Sequence, residues 1–428
     1  MRSMPQRPLA HPRRWLALAA LMPLLLSGCG MIPWIDGEKD PTPPTALAKS
    51  APQQVAIRTL WETRIGKGTS ERALNLVPAI SGGRIYAADA RGQVTALSAS
   101  DGRTVWERDT GLPLSGGPDV SDTHLAIGSS DGDVLMLSSR DGAQRWRAQV
   151  GSEVLSVPRI IGDLVVVHTT DDTIYGLELS DGAERWRFSY PAPVLTLRGS
   201  SSPVAAGDGV IVGISGGRLI YLEPEQGAPL WDLLISPPSG RSELDRLADI
   251  DADPVVVDGT AFVASYNGDL VAVDIASGMV LWRRELSAHA GLAADDRALY
   301  ITDSDDNLWA ADPADGAGIW KQEALLYRRL TAPAIAGDAI VVGDIEGYVH
   351  WVSQRDGRLL GRERITKARI GAAPVVAGGI VYVQADDGTL AALRAGGAPA
   401  STGARPARPS DDATPAEALP AARPPTAG

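Results

Sequence analysis

A single thiol is the residue with the most informative chemistry in this sequence. Cys29 is the only cysteine among 428 residues, and it follows an apolar run that ends in Leu26, Ser27 and Gly28. Four arginines in the first fourteen residues precede that run. A charged start, a short apolar stretch and small residues before a cut site are typical of a secretory signal. The stretch is shorter than the roughly 20 apolar residues of a spanning helix.

The motif Leu-Ser-Gly-Cys also resembles a lipobox, at which the thiol is lipidated and the chain is cut just before it. The resemblance implies a signal peptide over residues 1–28, a lipid anchor on Cys29 and a flexible tether over residues 29–54. Gly30 stands where an aspartate would retain such a protein at the inner membrane. We therefore expect a lipid-anchored protein on the periplasmic side of the outer membrane.

Other groups capable of chemistry do not assemble into a recognisable site. The histidines have no metal-ligand spacing; they are His11, His124, His168, His289 and His350. The acidic run from Asp303 to Asn307 imitates the start of a calcium loop, but Leu308 and Ala314 stand where that loop needs Gly and Glu. We predict a turn between strands there, no bound metal or cofactor, and no catalytic residues.

The charge balance also argues against one class of partner. The chain has 40 Lys and Arg against 52 Asp and Glu, so its formal net charge is −12. Nucleic-acid binding depends on clustered basic surface. The composition therefore disfavours a nucleic-acid partner.

A repeat of about 40 residues dominates the rest of the chain. Seven tryptophans recur at intervals of 38 to 51 residues, namely Trp61, Trp106, Trp146, Trp186, Trp231, Trp282 and Trp320. An eighth equivalent position holds Gly361. Each unit has short apolar segments separated by Asp-Gly or Asn-Gly turns, which predicts four short antiparallel strands. Periods near 40 with such strands are typical of propellers.

Eight units begin near Pro78, Pro118, Pro158, Pro203, Pro254, Ala290, Pro333 and Pro374. The last unit lacks its fourth strand, and the strand around Trp61 has no unit of its own. Pairing the two would close the ring and remove an exposed sheet edge. The sequence thus predicts an all-β, eight-bladed propeller over residues 55–395, closed by the N-terminal strand. Residues 396–428 are rich in Ala, Pro and Gly and are expected to be disordered.

The units resemble PQQ-like propeller repeats, related in design to WD repeats, with the motif Ala-x-Asp-x-x-x-Gly-x-x-x-Trp. Ala272, Asp274, Gly278 and Trp282 match it fully. The resemblance implies that the tryptophans stack between neighbouring blades and that Gly361 weakens one stack. It also leaves a periplasmic PQQ-dependent quinoprotein dehydrogenase as the alternative function. Those enzymes stack the cofactor against a vicinal disulfide, which this chain cannot form because Cys29 is its only cysteine.

Two segments depart from the repeat and are candidates for binding. The first, residues 190–199, contains Leu195, Leu197 and Arg198; the second, residues 236–251, contains Asp249 and Asp251. If the first segment is strand-like, both leucines lie on one face. Exposed apolar residues beside an arginine are typical of an interface; the alternative is local packing beneath a long loop. Arg198 and the two carboxylates either brace the two loops against each other or pair with a partner.

The signal, the eight PQQ-like blades and the segments Leu-Thr-Leu-Arg-Gly and Asp-Arg-Leu-x-Asp-x-Asp together resemble the BamB family of outer-membrane lipoproteins. The resemblance implies a non-catalytic scaffold subunit of the β-barrel assembly (BAM) complex. It implies binding to the POTRA domains of BamA, alongside other BAM subunits, with unfolded outer-membrane proteins as further partners. The family's contact residues would be Leu195, Leu197, Arg198, Asp249 and Asp251.

Overall fold

The computed structural model describes residues 42–49, 54–69, 72–191, 193, 195–237, 241–242, 246–396 and 413–415. Cys29 and the signal segment lie outside these ranges. Strands and turns make up the described residues, which include no helix long and apolar enough to cross a membrane. Contacts divide the chain into residues 1–43, of which only 42 and 43 are described, and residues 44–428.

The described residues form eight sheets, or blades, of antiparallel strands, and the second blade has one added parallel pair. Two strands precede the first complete blade: β1 (Ala56–Arg64) and β2 (Asn75–Leu76). Blade 1 contains β3 (Ala79–Ser81), β4 (Arg84–Ala88), β5 (Gln93–Ser98) and β6 (Thr104–Asp109). Blade 2 contains β7 (Leu114–Val120), β8 (His124–Ser129), β9 (Asp133–Ser138) and β10 (Gln144–Gln149), with β2 paired to β7.

Blade 3 contains β11 (Arg159–Ile161), β12 (Leu164–His168), β13 (Thr173–Glu178) and β14 (Glu184–Ser189). Blade 4 contains β15 (Val204–Ala206), β16 (Gly209–Ile214), β17 (Arg218–Leu222) and β18 (Pro229–Leu234). Blade 5 contains β19 (Val255–Val257), β20 (Thr260–Ala264), β21 (Asp269–Asp274) and β22 (Met279–Glu285).

Blade 6 contains β23 (Gly291–Ala294), β24 (Leu299–Thr302), β25 (Leu308–Ala311) and β26 (Gly318–Gln322). Blade 7 contains β27 (Ala334–Ala336), β28 (Ala339–Gly343), β29 (Tyr348–Ser353) and β30 (Leu359–Arg364). Blade 8 contains β31 (Val375–Ala377), β32 (Ile380–Gln384) and β33 (Thr389–Gly396). The last strand is β34 (Ala413–Pro415).

The N-terminal strand closes the ring, as predicted. Strand β1 pairs antiparallel with β33, which gives blade 8 the fourth strand that its own sequence lacks. The apolar core lies between neighbouring blades; one cluster, for example, joins Ile211 and Tyr221 of blade 4 to Val263 and Val271 of blade 5. The eight-bladed propeller prediction is confirmed.

A tryptophan and a glycine meet at seven of the eight seams between blades. Each indole N–H donates to a backbone carbonyl of the following blade at 2.6 to 3.0 Å, as Trp186 does to Pro224 O. The ring covers a glycine of that blade, such as Gly227, where an added Cβ would lie 2.4 Å from the Trp186 ring. These glycines have positive φ, +68° at Gly227, a conformation that other residues adopt at a cost.

The eighth seam, between blades 7 and 8, has a different arrangement. Trp351 of β29 lies opposite Gly361 of β30, so the large and small residues have exchanged strands. Trp351 is fully buried and packs in a cluster with Val381 and Leu393 of blade 8. Blade 8 also has no turn joining its third and fourth strands, because β33 and β1 come from opposite ends of the propeller. The prediction that Gly361 weakens the stack between blades 7 and 8 does not take Trp351 into account. Trp351 packs at this seam from the neighbouring strand.

Part of the expected tether is docked on the ring. Thr45 N–H donates to Leu326 O at 3.0 Å, and the guanidinium of Arg328 donates to Thr45 O at 2.8 Å. Arg328 is only 1% exposed and also binds the buried carboxylate of Asp344. Leu47 packs against the core cluster of blades 6 and 7, which includes Leu325. Residues 44–49 thus differ from the expected flexible tether, and we call them the strap.

The tail differs from expectation at three residues. Strand β34 pairs antiparallel with β26 and becomes a fifth strand on the outer edge of blade 6. Disorder of the remaining residues after 396 is a prediction that lies outside the described residues. The observed pairing shows that an outer edge of the propeller accepts an added strand.

Candidate functional site

The two irregular segments are consecutive connections between blades. Residues 190–203 join β14 to β15, and residues 235–254 join β18 to β19. Each runs from the outer strand of one blade to the inner strand of the next, so both emerge on the same face of the ring. We call this the connection face. The five candidate residues are all described, and the structure brings them into one region around blades 3 to 5.

Asp249 braces the two segments. Its Oδ2 accepts a hydrogen bond from the backbone N–H of Leu197 at 2.6 Å, and its Oδ1 accepts one from Gly216 at 2.9 Å. The residue is only 2% exposed. Both oxygens are therefore occupied inside the protein, and Asp249 positions the Leu197 backbone.

Arg198 pairs with a residue that the sequence did not single out. Its two terminal nitrogens donate to the two carboxylate oxygens of Glu153, both at 2.9 Å. Glu153 lies in the connection between blades 2 and 3, and about half of the Arg198 side chain is exposed. The bidentate pair holds Arg198 at the surface, and no hydrogen bond from Arg198 to Asp249 or Asp251 is found among the described residues.

The two leucines have different environments. Leu195 is 44% exposed, whereas Leu197 is partly buried and lines a cavity. The described residues 195–199 form no strand, so the expected strand-like alternation is absent. Leu195 is the more accessible anchor of this surface, and Leu197 is held by the amide bond to Asp249.

Asp251 lies beside the cavity and has an unusual acidity. Burial, with the neighbouring charges of Asp249 and Asp172, raises the pKa of Asp251 to about 7, and the charge of His168 opposes this shift. Its carboxylate packs directly on Gly199, where an added Cβ would be 2.1 Å from Cγ of Asp251. The Gly of the Leu-Thr-Leu-Arg-Gly motif is therefore required for close approach of the two segments.

The turn predicted at Asp303 is confirmed. Asp303 Oδ1 accepts hydrogen bonds from the backbone N–H of Asp305 and Asn307, and Oδ2 accepts one from the indole of Trp309. Its carboxylate is committed to shaping the turn between β24 and β25. Across the described residues, no group of three or more potential ligands is arranged to hold a metal ion.

The fold and the site together define an eight-bladed propeller that presents a preorganised loop surface on one face. The profile of the family "Outer membrane protein assembly factor BamB" matches residues 56–113, 90–322 and 326–399. A relative of that name from Alkalilimnicola ehrlichii is 50% identical over 382 residues, covering 89% of this chain and 97% of its own. The chain belongs to the BamB family of outer membrane protein assembly factors.

Solved structures agree on the architecture. The crystal structure of BamB from Moraxella catarrhalis superposes with a TM-score of 0.73 at 29% identity, covering 79% of this chain and all of that one. A quinohemoprotein alcohol dehydrogenase from Comamonas testosteroni reaches a TM-score of 0.64 at 13% identity, covering 82% of this chain and 78% of that one, which shows a shared fold alone. Family membership therefore places the chain with the assembly factors and confirms the prediction that it is not an enzyme.

Proposed function

We propose that this protein is a lipid-anchored scaffold subunit of the BAM complex, which binds the POTRA domains of BamA through the connection face near Leu195. Exposure of Leu195 on a braced loop carries the proposal. An exposed apolar side chain on a loop that is already fixed loses little conformational entropy when a partner binds. Arg198, fixed by Glu153 at the same surface, supplies a charged group beside the apolar anchor.

The roles of the candidate residues follow from their contacts. Leu195 and Arg198 contact the partner, Leu197 adds apolar surface at the cavity, and Asp249 positions the loop through the Leu197 amide. Burial of a leucine contributes about 1.5–3 kcal/mol. Loss of Leu195 should therefore weaken binding about tenfold or more, because each 1.4 kcal/mol corresponds to a factor of ten.

A matched pair of leucines tests this proposal. Leu230 on β18 is 55% exposed and lies on the outer edge of blade 4, away from the connection segments. Calorimetric titration of the chain with BamA POTRA domains should show a loss of affinity for Leu195→Ala with Arg198→Ala, and wild-type affinity for Leu230→Ala. Equal affinities for the double variant and the wild type would refute the assignment.

The lipid anchor is a second part of the proposal. Cys29 is fifteen residues from Pro44, the first residue of the docked strap, and fifteen extended residues span at most about 50 Å. The strap leaves the ring on the connection face, since it contacts the connection between blades 6 and 7. Palmitate labelling of cells should mark the wild type and leave Cys29→Ser unlabelled; a labelled variant would remove the anchor from the proposal.

The outer strands favour direct contact with unfolded outer-membrane proteins as a further role. Met279, Val280 and Leu281 are exposed on β22, whereas the equivalent strand β10 carries Gln and Arg at its edge. Strand β34 occupies the neighbouring edge of β26, so these edges can accept a strand. When a strand is added to a sheet edge, backbone hydrogen bonds provide the affinity and side-chain contacts provide the specificity.

A charged substitution on the open edge separates this role from BamA binding. Leu281→Lys should reduce capture of an unfolded outer-membrane protein in a cross-linking assay, because charged residues discourage edge pairing. The same variant should bind POTRA domains normally. Undiminished capture would contradict a role for the β22 edge.

A further inference from the structure

A cavity lies beneath the 195–199 loop on the connection face. Its volume is about 240 Å³, several times the roughly 30 Å³ that one water occupies in the liquid. Residues of three consecutive connections and two turns line it, including Glu153, Asp172, Leu197, Arg198 and Asp251. The cavity is large enough for one side chain of a protein that docks against Leu195, and residues 196–200, which follow Leu195, form part of its lining.

Asp172 has an unsatisfied acceptor at this cavity. The residue is 3% exposed, and its Oδ1 accepts hydrogen bonds from Ser215 N at 3.2 Å and Ser215 Oγ at 3.3 Å. Its Oδ2 is buried and accepts no hydrogen bond from the described residues. A buried carboxylate oxygen without a donor is costly. The oxygen is shielded from solvent in the free protein, so a donor from outside the chain reaches it only by inserting through the cavity that Asp172 lines.

Asp251 supplies a second acceptor to the same cavity. No hydrogen bond to its carboxylate is found within the described part of the chain, and the carboxylate is fixed against Gly199. The nearby basic side chains do not supply the missing donors. Arg198 is committed to Glu153 in a bidentate contact, and His168 Nε2 lies 3.4 Å from Oδ1 of Asp172, the oxygen that Ser215 also contacts.

We propose that this cavity is a socket for one cationic side chain, lysine or arginine, of the protein that docks on the connection face, with Asp172 and Asp251 as its acceptors. The identity of that protein as BamA rests on the proposed function. A lysine or arginine supplies the N–H donors that Asp172 Oδ2 lacks and a positive charge for Asp251. Leu197 and Arg198 also line the cavity, and the methylene groups of a lysine or arginine can pack against such side chains.

A metal ion is a weaker occupant for this cavity. The described residues contain no group of three or more ligands arranged to hold one. Two carboxylates with a polar rim match a single ammonium or guanidinium group instead. The same arrangement disfavours an anionic side chain, because Asp172, Asp251 and Glu153 all line the cavity.

Occupation of the socket should depend on pH. The charged and titratable groups that face Asp251 are Asp172, Asp249, Glu153, Arg198 and His168. Because the pKa of Asp251 is about 7 in the free protein, this carboxyl is partly protonated at neutral pH. A cation favours its ionised form, so binding releases a proton. Affinity should therefore rise as the pH rises through 7.

The experiment is calorimetric titration of the full chain with BamA POTRA domains at pH 6, 7 and 8, in two buffers of different ionisation enthalpy. Wild-type protein should bind more tightly at pH 8 than at pH 6 and release a proton. Asp251→Asn should bind at least tenfold more weakly at pH 8 and lose the pH dependence. Asp172→Asn should weaken binding but retain it. Asp131→Asn, an exposed carboxylate in a turn of the same face, is the control and should resemble the wild type.

The outcomes separate the two proposals. Absence of wild-type binding would overturn the proposed function and the socket with it. Wild-type affinity in both Asp251→Asn and Asp172→Asn, with normal binding by the parent protein, would overturn the socket alone. Thermal melting guards against misfolding, and Asp251→Asn should melt no lower than the wild type, because its carboxylate accepts no hydrogen bond from the described residues. NMR titration of the Asp251 carboxyl provides a second readout: its pKa should fall when POTRA domains bind, and an unchanged value would contradict the socket.

Discussion

The seams between blades and the loop surface near Leu195 are stabilised in different ways. At the seams, the same tryptophan, glycine and carbonyl contacts recur seven times, each formed by residues at fixed positions of the repeat. At the loop surface, single polar contacts join unrelated segments, such as Asp249 to Leu197 and Arg198 to Glu153. The comparison indicates that the seams carry stability, while the loops carry recognition that can be altered without unfolding the ring.

The largest expected effect is on a seam. Trp186→Ala removes a buried indole, its hydrogen bond to Pro224 O and its packing on Gly227. Substitutions of this kind cost about 3–5 kcal/mol. Chemical denaturation should show this loss in the free energy of unfolding. A loss below about 1 kcal/mol would contradict the stabilising role of the seams.

An intermediate effect is expected where the two regions meet. Asp249→Ala leaves the amides of Leu197 and Gly216 without their acceptor, which costs about 1–3 kcal/mol of stability. Because the loop would no longer be held, POTRA affinity should also fall. Hydrogen exchange at the Leu197 amide provides the measurement. Unchanged exchange would show that Asp249 does not brace the loop.

A smaller effect is expected at the strap. Leu47 is partly buried against blades 6 and 7, so Leu47→Ala should cost about 1 kcal/mol. Limited proteolysis should cut near residue 47 faster in this variant than in the wild type. Ala46→Gly, at an exposed neighbouring position, is the control for the strap. Equal cleavage rates in Leu47→Ala and the wild type would indicate that the strap is not held through Leu47.

The fold could be predicted from the sequence because the same pattern of strands, turns and tryptophan recurs in almost every blade. The spacing of Trp106, Trp146 and Trp186 reports a contact that recurs at every ordinary seam, and the missing fourth strand of the last unit predicts closure by β1. The exchange of Trp351 and Gly361 was also detectable, since comparison of the units places Trp351 opposite the glycine. To detect the exchange, the third and fourth strands of the units must both be aligned. The spacing of the tryptophans alone shows only that Gly361 replaces one of them.

The site was predicted less completely, for a physical reason. Leu195, Leu197, Arg198, Asp249 and Asp251 do lie in one region, but their roles depend on contacts across long sequence separations. Glu153 is 45 residues from Arg198, and Asp172 occupies the turn position that Asp306 holds in blade 6. Both carboxylate oxygens of Asp306 accept backbone hydrogen bonds, whereas Asp172 leaves one oxygen without a donor among the described residues. No local pattern distinguishes these two aspartates. The docking of the strap was missed likewise, because its Pro-rich composition does not reveal the buried Arg328 that binds it.

The most direct test of the account is site-specific photo-cross-linking in living cells. A photo-activatable amino acid placed at position 195 should form an adduct with BamA, because Leu195 is the exposed anchor of the braced loop. The same amino acid at position 230, which is exposed on the outer edge of blade 4, should not. Adducts at 195 alone would support the connection face as the docking surface; BamA adducts at 230 and none at 195 would contradict it.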